Sequence, residues 1–152
     1  MTDTSADTTY WNAMVPELTV SDFAASLAFY QLSGFHVRFQ RDNPRFAYLI
    51  LGQAQLMIEA YHAEGWHTDT LVHPFGRGVN FQIDVTDVAV LIATYAAHGI
   101  TLYRPVCEVW YHTQPGVTEG VREFLVQDPD GYLLRFSQYL GQRTSTPDTS
   151  TE

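Results

Sequence analysis

The sequence predicts an α+β fold: two tandem βαβββ modules whose strands form one curved mixed sheet with a cup on its concave side. Three observations predict it. Val20-Ser21-Asp22 opens a stretch that ends at Gly34, and Val85-Thr86-Asp87 opens a second that ends at Gly99, every landmark displaced by 65 residues. Phe23, Leu27 and Tyr30 then repeat as Val88, Ile92 and Tyr95 at the same displacement, each set drawing one apolar stripe down a helix. Short runs of β character surround both helices.

Taken in order, residues 17–20 read as a strand leading into the first helix. Ser21 caps that helix, Asp22 favours its positive end, and Gly34 supplies the left-handed residue that stops it. Residues 35–39, 45–51 and 55–61 follow as strands, the last two flanking a tight Gly52-Gln53 turn. The second copy begins with a strand over 79–85, a helix capped by Thr86 and closed by Gly99, and a strand over 101–108. Residues 110–120 read as an inserted loop. Strands over 121–126 and 132–139 flank Asp128-Pro129-Asp130-Gly131, whose composition demands a turn. The expected organisation is a flexible arm over 1–13, module one over 14–62, a link over 63–78, module two over 79–140 and a disordered tail over 141–152.

Composition narrows the function classes. The 152 residues are 45% hydrophobic and 14% aromatic, enough for a sizeable interior. No apolar run approaches a membrane span, and the first fourteen residues lack the basic and apolar regions of a secretory signal. The single cysteine, Cys107, forms no intrachain disulfide and suits a reducing cytoplasm. No nucleophile motif surrounds it, and it reads as a half-buried apolar residue. Seventeen acids against eight bases leave a net charge of −9, which disfavours nucleic acid and anionic membrane surfaces and favours a cationic ligand. The same charge also serves solubility, and composition alone does not separate the two.

The concave face of a sheet is the natural ligand site. Strand alternation places Gln55, Met57, Glu59 and Tyr61 on one face and Asn80, Gln82 and Asp84 on another. Trp66, Trp110, Tyr111 and His112 fall in the link and insertion, while Phe39, Phe46 and Tyr48 fall on middle strands. These aromatics suit a planar or cationic ligand, although part of the strand set will serve as core. His62, His67 and His73 cluster in the link at a spacing that matches no established metal frame. His98 sits at a helix C-terminus, where positive charge is welcome.

The module pattern, with Ser26-Leu27-Ala28-Phe29-Tyr30 before Gly34-Phe35 and Asp128-Pro129-Asp130-Gly131-Tyr132-Leu133-Leu134 near the end, resembles the vicinal oxygen chelate superfamily over residues 14–140. That superfamily holds the glyoxalases, dioxygenases and bleomycin-resistance proteins. The resemblance implies four cup-facing positions that bind a divalent ion in the metal-dependent members; here they fall on Val15, Glu59, Asn80 and Arg135. Valine cannot coordinate, a neutral amide is a poor donor and a guanidinium repels a cation, so no metal and no cofactor is expected. Glu59 and Arg135 would instead pair, or bracket a polar ligand group, unless either reaches solvent.

The run from Phe124 to Arg135 and the segment Leu56-Met57-Ile58-Glu59 look most similar to the bleomycin-resistance branch. That branch implies a homodimer that sequesters a cationic glycopeptide without catalysis, and the lone cysteine places it in the cytoplasm. The expected ligand-binding set is Phe39, Phe46, Tyr48, Glu59, Trp66, Asn80, Gln82, Trp110, Tyr111, His112 and Arg135, with no catalytic residue. One departure stands out. Some antibiotic-binding members carry a stacking Trp just before the strand that matches 121–126, where this chain has Glu119-Gly120; Trp110 substitutes only if the insertion folds back. An enzyme of the same fold (lyase, isomerase or dioxygenase) and a binder of another small molecule remain the alternatives. Nothing supports a Ser–His–Asp or phosphate-loop site.

Overall fold

The computed structural model describes residues 10–145 and contains two four-stranded sheets of identical topology. The first is built from β1 (Glu17–Val20), α1 (Phe23–Leu32), β2 (His36–Arg41), β3 (Phe46–Leu51) and β4 (Ala54–Ala60). The second is built from β5 (Asn80–Asp84), α2 (Val88–Ala97), β6 (Arg104–Gln114), β7 (Val117–Gln127) and β8 (Leu133–Thr144). Strand order is β1-β4-β3-β2 in one sheet and β5-β8-β7-β6 in the other. In each, the first strand pairs parallel with the last and the remaining pairs are antiparallel.

Both helices start and stop by the same chemistry, one residue away from the expected start. The caps are Asp22 and Asp87, whose carboxylates accept from the Ala25 and Ala89 amides, rather than Ser21 and Thr86. A carboxylate is the stronger acceptor and carries the charge that the helix N-terminus favours. Ser21 is engaged elsewhere: its amide and hydroxyl both donate to the Asp130 carboxylate. At the far ends, Gly34 (φ 101°) and Gly99 (φ 69°) take the left-handed conformation. The Phe35 and Ile100 amides donate back to the Tyr30 and Tyr95 carbonyls, while Gly34 and Gly99 donate to Gln31 and Ala96. This is a Schellman closure in both copies.

The helix-facing side of each sheet holds the core. In the first unit Phe23, Phe29 and Tyr30 of α1 are buried with Leu18, Val20, Leu49 and Ile58 of the sheet. In the second, Val88, Leu91 and Tyr95 of α2 are buried with Ile83, Phe124, Val126, Leu134 and Phe136. Tyr95 meets the Phe124 and Phe136 rings at centroid distances of 6.1 and 6.4 Å.

The first compact unit comprises the described residues through Val79 together with Asp128–Tyr132; the second comprises Asn80–Gln127 and the described residues from Leu133 on. The Asp-Pro-Asp-Gly turn is thus part of the first unit. Buried Asp128 accepts from the Tyr30 hydroxyl at 2.7 Å and from the Asp130 and Tyr132 amides. The Tyr132 hydroxyl donates to the Thr19 carbonyl at 2.9 Å, and the Phe75 amide to the Asp130 carbonyl at 2.8 Å.

Two stretches differ from the sequence expectation. Residues 110–120 are not a loop: β6 and β7 continue through them as a hairpin that turns at Pro115-Gly116. β8 runs on to Thr144, so residues 141–144, expected in the tail, pair with Val117–Gly120. The rest of the expected tail and most of the expected arm lie outside the described residues.

Candidate ligand-binding site

The helix-free faces of the two sheets have diverged, although their backbones match. In the first unit, register aligns Phe39, Tyr48, Met57 and Glu17 in one row and Arg41, Phe46, Glu59 and Thr19 in the next. Phe46, Tyr48 and Ile50 form an apolar cluster joined by Val15 and Met57. In the second unit the corresponding face carries Asn80, Gln82 and Asp84 on β5, Arg135 on β8, and Glu123 and Leu125 on β7. One face is aromatic and the other polar.

The aromatic face is covered by a segment that the sequence places in a flexible arm. Trp11 stands edge-on to Tyr48 at 5.0 Å and to Phe39 at 6.0 Å, and Phe39 stacks on Tyr48 at 5.5 Å. The Asn12 amide donates to Gln55 Oε1 at 2.9 Å and its side chain to the Gln53 carbonyl at 2.8 Å. Gln55 Nε2 and Arg38 both donate to the Tyr10 carbonyl, and the Arg38 guanidinium lies 3.2 Å from the centre of the Trp11 ring. Tyr48 donates its hydroxyl to Gln55 and is only 4% exposed; Phe46 is 2% exposed. Trp11 escaped the sequence reading because a lone aromatic in a polar arm carries no periodicity.

Glu59 and Arg135 each have a polar partner inside their own unit. Glu59 Oε1 lies 2.8 Å from His62 Nε2, and burial together with the neighbouring Glu59 charge raises the pKa of Glu17. Arg135 Nη1 lies 3.8 Å from Glu123 Oε2. Register also shows that the two residues are not counterparts. Glu17 pairs with Met57 and Gln82 with Arg135, whereas Thr19 pairs with Glu59 and Asp84 with Ser137. Arg135 therefore stands where the first module has Met57. Among the described residues no group of three or more His, Cys, Asp or Glu side chains is placed to hold a metal ion.

Asn80, Tyr111 and Arg135 line a recess of about 240 Å³ in the second unit, together with Arg104, Cys107, Glu123, Leu125 and Leu133. Sequence reasoning missed Arg104, Cys107 and Glu123 as members. Cys107 is exposed, not half-buried, because the β6 edge leaves its side uncovered. The Tyr111 hydroxyl donates to Glu123 at 2.7 Å, a bond that raises its pKa.

Trp110, Tyr111 and His112 lie on strand β6, not on a loop, since they pair in turn with Gly120, Glu119 and Thr118. Trp110 sits directly opposite Gly120, and a Cβ on Gly120 would lie 2.5 Å from the indole. The glycine is the space that the ring fills. The Arg143 guanidinium covers that ring at 3.6 Å, and the indole N–H donates to Glu108 at 3.0 Å, which lowers the Glu108 pKa. Of the remaining expected residues, Gln82 is exposed and donates to Asp84, His112 is exposed, and Trp66 is 95% exposed in the link.

A duplicated βαβββ unit with these faces defines a class of fold, and comparison with known proteins gives the family. The model of the glyoxalase/bleomycin resistance protein/dioxygenase superfamily matches residues 12–136, and the chain belongs to that superfamily. Among solved structures, a virulence protein of Salmonella typhimurium is 22% identical, with 86% of this chain and 99% of that chain covered at a TM-score of 0.59. A bleomycin-binding protein complexed with bleomycin is 24% identical, with 84% and 98% covered at 0.52. A fosfomycin resistance protein of Listeria monocytogenes is 16% identical, with 85% and 92% covered at 0.56. No curated protein sequence matches the chain. These likenesses establish the fold.

Proposed function

We propose that the protein binds and sequesters a cationic glycopeptide of the bleomycin class as a homodimer, without chemical conversion of the ligand. The observation that carries this reading is Trp110. Its indole crosses the hairpin to lie on Gly120, which supplies an aromatic plane beside the start of residues 121–126, where the sequence itself has only Glu119-Gly120. Arg143 on that ring marks the plane as one that accepts a cation. Three further features support the reading: a net charge of −9, the residue types at Val15 and Asn80, and the bleomycin complex formed by one structural relative.

The test is a bleomycin titration followed by tryptophan fluorescence, with sedimentation equilibrium to establish the dimer. Saturable quenching at micromolar drug is expected, and Trp110→Ala should weaken binding roughly tenfold, the range of a desolvated cation–aromatic contact. A flat titration would sink the antibiotic. Stoichiometric bound metal in the purified protein, accompanied by turnover of a glyoxalase or dioxygenase substrate, would favour the enzyme reading instead.

A further inference from the structure

We infer that the recess of the second unit is a binding site for the oxyanion of a small molecule, most suitably a carboxylate carried on an apolar body. The inference goes beyond the glycopeptide reading: it shares Asn80, Tyr111 and Arg135 with the ligand-binding set expected there, and adds Arg104 and Glu123. Two guanidinium residues, Arg104 from β6 and Arg135 from β8, line the recess with one carboxylate, Glu123. That leaves one positive charge in excess, within a chain whose net charge is −9.

The hydrogen-bond inventory points the same way. Glu123 already accepts from Tyr111 at 2.7 Å, and its approach to Arg135, at 3.8 Å, is longer than a hydrogen bond. Arg135 Nε is buried and has no hydrogen-bond partner among the described residues. The Arg104 side chain has neither an ion pair nor a hydrogen bond among them, although its backbone pairs with Leu125 in the sheet. A buried donor on a charged group is costly to leave unpaired. A planar carboxylate is the acceptor that matches a guanidinium edge in geometry and in charge. The Asn80 amide offers a further polar group at the wall, while Leu125 and Leu133 supply the apolar surface against which a ligand body would rest.

Benzoate, inorganic phosphate and the neutral isostere benzamide, each titrated into the ¹⁵N-labelled full chain, test this. Benzoate should give saturable amide shifts in the millimolar range, confined to the neighbourhood of Arg104, Cys107, Glu123, Leu125 and Arg135. Phosphate should shift the same amides more weakly, and benzamide should leave them unmoved. Arg104→Gln, at an exposed position, and Arg135→Gln should each abolish saturation; the first keeps the test decisive if the second disturbs the fold. Equal shifts with benzamide, or shifts spread over all basic residues without saturation, would overturn the inference. Benzoate binding by a protein that ignores bleomycin would retire the glycopeptide reading and leave this one standing.

Discussion

At Asp128, burial raises the carboxyl pKa to about 6 from an ordinary 3.8, against the hydrogen bonds from Tyr30, Tyr132 and Asp130 that oppose the rise. The native state thus holds this proton more tightly than the unfolded chain does. The stabilisation is fully present below the unfolded value, declines as pH climbs towards about 6, and is absent above it. The span corresponds to roughly 2–4 kcal/mol. Asp128→Asn removes the titration. Urea midpoints measured from pH 4 to pH 7 should therefore fall faster for the native protein than for the variant, and parallel curves would place the titration elsewhere. The turn itself was legible, because Asp-Pro-Asp-Gly has no other use. Its partners were not: nothing local links Ser21, Thr19 or Tyr30 to residues a hundred positions away.

The helices were the most legible elements, since caps, apolar stripe and terminal glycine all recur at one displacement. What the sequence could not decide was which of two adjacent cap formers would act, because Ser21 had a distant claim on its hydroxyl. Removing either carboxylate, by Asp22→Ala or Asp87→Ala, should cost about 1 kcal/mol of stability, measured by chemical denaturation. A Ser21→Ala change that cost as much as Asp22→Ala would instead show the loss of the Asp130 tie. The β6–β7 hairpin was the least legible element. Much of β6 faces solvent on both sides, so no alternation of apolar residues marks it as a strand. Its Gly120, which reads as a loop residue, is there because the Trp110 ring occupies the place of a side chain.

For the whole molecule, the duplication was visible in the sequence and the divergence of its two helix-free faces was visible only in part. The sequence offers Val15, Asn80 and Arg135 at positions where the resemblance implies metal ligands, and that reading treats Glu59 and Arg135 as counterparts. Pairing register was needed to see that Arg135 answers to Met57, so that a guanidinium stands in one module where a thioether stands in the other. Among the described residues no helix is long and apolar enough to cross a membrane. Of the aromatic residues expected to meet ligand on the first face, Tyr48 and Phe39 pack against Trp11, so ligand access to the Tyr48 ring requires that segment to lift.

The assignment of Asp128–Tyr132 to the first unit has a consequence for how such a chain can be divided. A gene cut after Val79 would encode a first half lacking the Asp130 and Asp128 carboxylates to which Ser21 and Tyr30 donate. That half should melt without a cooperative transition by circular dichroism, while a chain nicked in the link should keep its two pieces together on gel filtration. A well-folded isolated half would contradict this. The same excursion also makes the two modules unequal. Residues 128–132 are carried by the second module and used by the first, so neither module can be replaced by a second copy of the other.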